Sequence, residues 1–223
     1  MTEPPSTEFL QLLTPDERAD LAQRARRRRW ERDEIVLRED ERSDWVLIVL
    51  TGWVKATRNT ARGTEVLLAV RGPGALLGEF TAIDGRPHSA TVTALDQLTG
   101  LVVPASGFSS FLQAHGRVSL MLMRVLVERM RDADLKRIEF GAHSTTGRVA
   151  TRLIELAERF GQRTDTGVRI GVPLSQDELA GWTGSSREAV SKALGQLRAY
   201  GWISTGRRQI VVHDLDALRQ LIN

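Results

Sequence analysis

Two short stretches of the chain carry side chains whose types and spacing could do specific chemistry. Residues 78–95 read GEFTAIDGRPHSATVTAL. They pair a Gly-Glu step with a turn built on Asp84-Gly85, a second turn at Pro87, and a strand-like run. Glu79 offers a carboxylate beside a glycine. His88 stands where an anion site would favour a permanent positive charge. A plainer reading also holds for Glu79, because a carboxylate in a turn can accept backbone N–H bonds without any ligand.

The second stretch, LSQDELAGWTGSSREAVSKALGQLRAYGWIS, reads as two short helices about a turn at Gly184. Ser175 with Glu178 fits a capping box, and Ser185 with Glu188 fits another. Leu179, Val190, Leu194 and Leu197 form an apolar inner face, while Arg187, Glu188, Ser191 and Lys192 share the opposite face at the start of the second helix. An arginine there can read guanine through two hydrogen bonds, and a glutamate can accept from the cytosine amino group. A solvated helical hairpin is the competing reading. The glycine turn followed at once by Arg-Glu favours a helix-turn-helix. Gly201 stops the second helix, and WISTGRRQIVVHD reads as a hairpin with Arg207 and Arg208 near its tip, a wing able to touch phosphate.

The elements that must position these residues follow from periodicity. Thr14-Pro15-Asp16-Glu17 reads as a helix start. From Trp30 to about Leu101, short β-branched runs alternate with turn signals at Gly52, Arg62-Gly63, Gly72-Pro73-Gly74 and Asp84-Gly85, which predicts an all-β barrel or jelly roll. The basic run Arg24 to Arg29 is read as a solvated helix end, since Glu31, Asp33 and Glu34 follow it. Beyond Gly116 the period becomes helical. Leu120, Met123, Val127 and Met130 recur at spacings of three and four, a seam that calls for a second helix. Packing on the β-domain is the alternative; dimerisation is preferred because Leu135 and Ile138 continue the apolar character. Gly141 is read as the break, followed by a helix in GRVATRLIELAERF.

Composition removes several classes of function. The chain of 223 residues contains no cysteine, so disulfides, thiolate-bound zinc, iron–sulfur clusters and a cysteine nucleophile are excluded. No Walker-type loop and no nucleophile elbow occurs. A cupin-type metal site needs several histidines, and His88 alone lies in the β-region. Haem ligation remains formally open to His88, His115, His143 or His213. These missing motifs predict a non-catalytic protein with no metal site, and the lack of a leader-like or membrane-spanning run predicts a soluble, cytoplasmic one. The formal charge is +3, and the excess lies wholly in residues 141–223, where it weakly suggests a polyanionic partner.

The order of β-roll, long helix and winged helix-turn-helix, with GEFTAIDGRPHSATVTAL in the first part and SSREAVSKAL in the last, resembles the cyclic-AMP receptor protein / fumarate-nitrate regulator (CRP/FNR) family of bacterial transcription regulators. The resemblance runs from about Phe9 to His213. It implies an α+β chain with a sensing β-roll over 1–115, a dimerisation helix over 116–140 and a DNA-binding domain over 141–223. It implies double-stranded DNA, RNA polymerase and a second copy of the chain as partners. The DNA contacts would come from Ser175, Gln176, Ser185, Ser186, Arg187, Glu188, Ser191, Lys192, Arg207 and Arg208. In the cyclic-AMP-responsive members the Gly-Glu glutamate binds the ribose, and an Arg-Ser pair binds the cyclic phosphate.

Gly78, Glu79, Phe80, Ser89 and Ala90 match that cassette, but His88 replaces the arginine, with Arg86 two residues earlier. The Thr-Ser pair that contacts adenine is replaced by Ala133 and Asp134. Three effector readings stay open: weak or pH-dependent binding of a cyclic nucleotide such as cyclic AMP, a different small molecule, or a constitutively competent regulator. A classical cyclic-AMP-responsive regulator is the alternative, with a cyclic-nucleotide-binding regulatory subunit or a cupin-type enzyme behind it.

Overall fold

The computed structural model describes residues 8–60, 63, 65–206 and 209–222, without the side chain of Phe140. The chain divides into two compact units, Met1–Arg58 with Leu68–Ala133, and Asn59–Leu67 with Asp134–Asn223.

In the first unit, a 3-10 turn at Phe9–Leu12 leads into α1 (Pro15–Gln23), then β1 (Arg26–Trp30), β2 (Ile35–Leu37), β3 (Trp45–Thr51), β4 (Val54–Asn59), β5 (Glu65–Arg71) and β6 (Leu76–Leu77). Next come α2 (Glu79–Asp84), β7 (Thr91–Ala94), β8 (Leu98–Pro104), α3 (Ala105–Ala114) and α4 (Gly116–Ala142), whose residues from Asp134 on belong to the second unit, as do Asn59 of β4 and the start of β5 up to Leu67. The strands form two four-stranded sheets, ordered β1-β8-β3-β6 and β2-β7-β4-β5.

The run WVLIVLT of β3 shows why the sheets stack. Leu47 and Val49 project into a core with Trp30, Val36, Val54, Val92 and Leu98 of both sheets. The alternate residues Val46 and Ile48 project to the other face, against Leu21, Phe108, Phe111, Val118 and Leu122 of the helices. A strand buried on both faces must be apolar throughout, so its unbroken hydrophobic sequence follows from its central place.

The run Arg26–Arg29 is not a helix end. It is β1, an edge strand paired with β8 from Arg26↔Val102 to Trp30↔Leu98. All four arginines are exposed, while Trp30 is buried and anchors the strand. α1 is capped as expected: Thr14 accepts from the Glu17 N–H, and Glu17 reaches back to the Thr14 N–H at 2.8 Å. Glu17 also pairs with Arg117 of α4. That hydrogen bond, against an opposing effect of burial, holds its carboxyl down at about 2.

α4 carries two apolar stripes. Val118, Leu122 and Val125 are buried, whereas Leu120, Met123, Val127 and Met130 are 40–61% exposed. The helix therefore packs on the β-roll with one face and leaves the expected seam open on another. It continues through Gly141 to Ala142, and α5 starts at Thr145 behind an N-cap at Ser144 whose hydroxyl accepts from Gly147 N–H.

The second unit contains α5 (Thr145–Phe160), the hairpin β9 (Gly161–Thr164) and β10 (Gly167–Ile170), α6 (Gln176–Thr183), α7 (Arg187–Ala199), β11 (Ile203–Gly206), β12 (Gln209–Val212) and α8 (Leu215–Ile222). Its sheet order is β11-β12-β10-β9. Val149, Leu153 and Leu156 of α5 and Val190, Leu194 and Leu197 of α7 are buried, and together with Leu179 of α6 they supply its core. Among the described residues, no helix is long and apolar enough to cross a membrane.

Candidate functional site: the β-roll segment and the helix-turn-helix

In the β-roll, Gly78 ends β6 with φ 79° and forms the N-cap of α2. A side chain is disfavoured in that left-handed conformation, and a Cβ there would lie 3.2 Å from the Trp45 carbonyl. The turn directs Glu79 inward, where it is 4% exposed. Its Oε1 accepts a hydrogen bond from Arg129 Nη1 of α4 at 2.5 Å, and Arg129 Nη2 donates to Leu76 O at 2.9 Å. Glu79 thus holds a guanidinium from the same chain. Arg129 was not singled out from sequence, yet a signal was present. It continues the buried stripe Val118, Leu122, Val125 by one further helical step, and an arginine at such a position needs an anionic partner.

His88 is also buried. Its Nδ1 lies 2.9 Å from Thr81 Oγ1 and its Nε2 lies 3.0 Å from Ser43 Oγ. The Ser43 hydroxyl donates to Trp45 O at 3.0 Å, so it accepts from His88, which puts the proton on Nε2 and leaves Nδ1 to accept from Thr81. The backbone locks the same residue: His88 N–H donates to Glu41 O at 2.8 Å, and His88 O accepts from Asp40 N–H at 3.0 Å. Both ring nitrogens are engaged within the protein. The residues sequence reasoning missed here are Ser43 and Thr81, hydroxyls that no local pattern links to position 88. Phe80, Arg86 and Ser89 are exposed and Ala90 is half-buried. Arg86 N–H donates to Asp84 Oδ1. Asp134 lies on α4, 3.7 Å from Arg137.

Burial pushes the His88 imidazole below its ordinary range, opposed by the charge of Glu41. The free value is near 6.5, so as pH falls below it the unfolded chain takes up a proton that the folded chain resists. Stability is therefore fully present above about pH 6.5 and is lost as pH falls. Urea midpoints at pH 7.5 and 5.5 should fall less for His88→Gln than for the wild type. An unchanged slope would remove His88 from the pH response.

In the second unit, Ser175 caps α6 reciprocally, with Glu178 N–H to Ser175 Oγ at 3.1 Å and Ser175 N–H to Glu178 Oε2 at 2.7 Å. Gly184, at φ 58°, turns the chain toward α7. The cap of α7 is Ser186 rather than Ser185: Ser186 Oγ accepts from Ala189 N–H at 3.2 Å. Ser185 faces inward and accepts from Arg148 Nη2 at 3.1 Å. The one-residue shift leaves Glu188 at the second helical position, too early to close a box. Arg187, Glu188, Ser191 and Lys192 line one open depression. Arg187 Nη1 is 3.6 Å from Asp177 Oδ2, with both side chains about two-thirds exposed, a pair easily given up to a competing acceptor. The helix start at its own N–H and the Ser186 hydroxyl hold Glu188 below the usual carboxylate range, so it is an acceptor at neutral pH. Gln176 opens α6 in an exposed position. Arg207 and Arg208 lie outside the described residues, between Gly206 and Gln209, which pair. Among the described residues no group of three or more His, Asp or Glu side chains is arranged to hold a metal ion.

Comparison with known proteins places both regions. Residues 27–115 match the cyclic nucleotide-binding domain model, and residues 147–221 match the Crp-like helix-turn-helix domain model. The chain is 30% identical over 187 residues to the CRP-like cAMP-activated global transcriptional regulator of Mycobacterium tuberculosis, covering 84% of each. It is 27% identical over 210 residues to the cyclic AMP receptor protein of Thermus thermophilus, covering 94% of each. The structure of FixK2 from Bradyrhizobium japonicum is similar with a TM-score of 0.80 and 26% identity, over 89% of this chain and 98% of that one.

Proposed function

The chain belongs to the CRP/FNR family of transcription regulators, which are not enzymes, and from this premise we propose that it works as a homodimer on pseudo-palindromic DNA with TGTGA-like half-sites. Residues 1–115 serve as the sensing part, 116–140 as the dimer helix and 141–223 as the DNA reader, recruiting or blocking RNA polymerase at promoters. The observation that carries the reading is the shared, open face of α7 formed by Arg187, Glu188, Ser191 and Lys192. It joins a two-pronged donor, a charged acceptor, a hydroxyl and a second cation on the first turns of one helix. That set suits base edges in a major groove, where two such helices would sit about 34 Å apart.

For the effector, the reading is an altered pocket with weak, different or no small-molecule response. Glu79 is already neutralised by Arg129, and His88 is committed to Thr81 and Ser43. A cyclic nucleotide would have to displace the first contact and would find no free imidazole. The second reading, a classical cyclic-AMP-responsive regulator, is favoured by the match of residues 27–115 to the cyclic nucleotide-binding domain. It would use Arg129 or the exposed Arg86 for the phosphate. Calorimetric titration with cyclic AMP and cyclic GMP separates the two, since heat at micromolar nucleotide supports the classical response.

The DNA reading is tested with Arg187→Ala. The variant should lose about 1–3 kcal/mol on a TGTGA-type site, with the loss confined to one base position in each half-site. Equal affinity of wild type and variant for cognate and scrambled duplexes, measured by fluorescence anisotropy at fixed salt, would show that α7 does not read bases through Arg187.

A further inference from the structure

The guanidinium of Arg148 on α5 reaches two separate segments. Nη1 donates to His143 O at 2.6 Å, and Nη2 lies 3.4 Å from Thr145 Oγ1, both where the chain leaves α4. Nε donates to Thr183 O at 2.7 Å, and Nη2 donates to Ser185 Oγ at 3.1 Å, both in the turn that enters α7. Each segment is already complete by itself. Ser144 caps α5 through Gly147 N–H. The α6–α7 turn is closed by Ser185 N–H to Ala180 O at 3.0 Å, and Thr183, buried, is tied to Leu179 O at 2.8 Å. The bonds of Arg148 join one segment to the other, in addition to the apolar packing of α5 on α7. Two further ties run the same way, from Ser185 Oγ to Thr145 Oγ1 at 3.3 Å and, exposed, from Thr146 Oγ1 to Gln196 Oε1 at 3.0 Å.

We propose that Arg148 is a positioning residue for DNA reading, a strut that makes the segment leaving α4 and the turn entering α7 move as one piece. Only a planar fork reaches four acceptors on two sides at once, which a lysine ammonium cannot do. The consequence is geometric. α7 has 13 residues and is about 20 Å long at about 1.5 Å per residue. A looseness of about 10° at its entrance moves its far end by about 3 Å, close to the step of about 3.4 Å between bases along one strand. Without the strut, a dimer would lose its preference for one distance between half-sites.

This inference rests on the homodimeric DNA reading above, and the test separates the two. Full-length wild type, Arg148→Gln, Arg148→Lys, Ser185→Ala and Arg187→Ala are titrated against duplexes whose two half-sites sit at the preferred spacing and one base pair closer or farther. Wild type should prefer the correct spacer by roughly tenfold or more, in line with the cost of one wrong base pair. Arg148→Gln and Arg148→Lys should keep their dimer and their circular dichroism, yet bind all three spacers within about twofold; Ser185→Ala should fall between, having lost one of the four acceptors of Arg148 together with the direct bond to Thr145 Oγ1. Arg187→Ala should weaken on every spacer while keeping the preference. An Arg148→Lys or Arg148→Gln protein that discriminates spacers like wild type overturns the proposal, whatever its melting temperature. A wild type indifferent to paired half-sites instead removes the dimer reading itself, and the strut with it.

Discussion

Arg129→Leu should destabilise the β-roll by about 3–5 kcal/mol, because it leaves the Glu79 carboxylate buried with its charge unpaired. Glu79 is 5% exposed at its side chain and Arg129 17%, so the carboxylate cannot turn to water without local opening. The double variant Arg129→Leu/Glu79→Leu should recover most of the loss, since replacing a buried pair by apolar groups is often neutral or better. The measurement is the urea midpoint of both proteins, with hydrogen exchange on peptides spanning residues 76–95 to locate the effect. Slowed exchange there on addition of millimolar cyclic AMP to wild type would mean that nucleotide binds this segment despite the Arg129 contact. A single variant that loses less than about 1 kcal/mol would show that the guanidinium is not what Glu79 needs.

The distinction between Glu79 and Arg129 marks where sequence reading ran out. Long elements with one period were legible. The apolar run of β3, the α4 seam and the paired helices around Gly184 each repeat a pattern over enough residues to declare their type. Short or uniformly charged elements were not. β1 reads RRRRW, and with four successive exposed residues the alternation that betrays a strand is missing; its pairing is set by Trp30 and β8, which are remote in sequence. α2 has six residues, too few to show a helical period, and its ends are defined by two left-handed glycines. The strands of β9 and β10 have four residues each and are mostly polar, so the hairpin is recognised only through its pairing. The cap of α7 moved by one residue because Ser185 and Ser186 are equivalent in sequence, and only the contacts with Arg148, Thr145 and Thr183 assign Ser185 to the interior.

The same logic separates what was legible in the site. Arg187, Glu188, Ser191 and Lys192 share a face because they lie on one helix, where spacing alone sets direction. The partners of His88 come from positions 43 and 81, and the partner of Glu79 from position 129. Those contacts depend on sheet closure and helix docking, which a linear pattern does not encode. A histidine in place of an arginine suggested a titrating anchor. Two hydroxyls and a buried location engage both of its ring nitrogens within the protein, so an effect on stability below about pH 6.5 is expected beside any effect on ligand affinity.

The largest loss of DNA binding is expected from Met123→Asp combined with Val127→Asp. Both residues are exposed on the outer stripe of α4, at 53% and 40%, whereas the contacts that hold α4 to the β-roll run through Val118 and Leu122 on the inner stripe. The substitutions therefore leave the core of each protomer untouched. In a paired helix they would place four carboxylates within one apolar seam, which the exposed monomer avoids by staying in water. A specific dimer on two half-sites binds with affinities of roughly 10⁻⁸–10⁻¹¹ M, and a monomer keeps only one half-site's share, so affinity for the full site should fall by roughly a thousandfold. Wild type should favour the paired site over a single half-site by a similar factor, while the double variant should bind the two alike. Sedimentation equilibrium should give the mass of one chain for the variant and two for wild type. A variant that sediments as an intact dimer would move the interface off the Leu120–Met130 stripe, and a monomeric variant that still binds the paired site tightly would mean that one chain supplies all the DNA contacts.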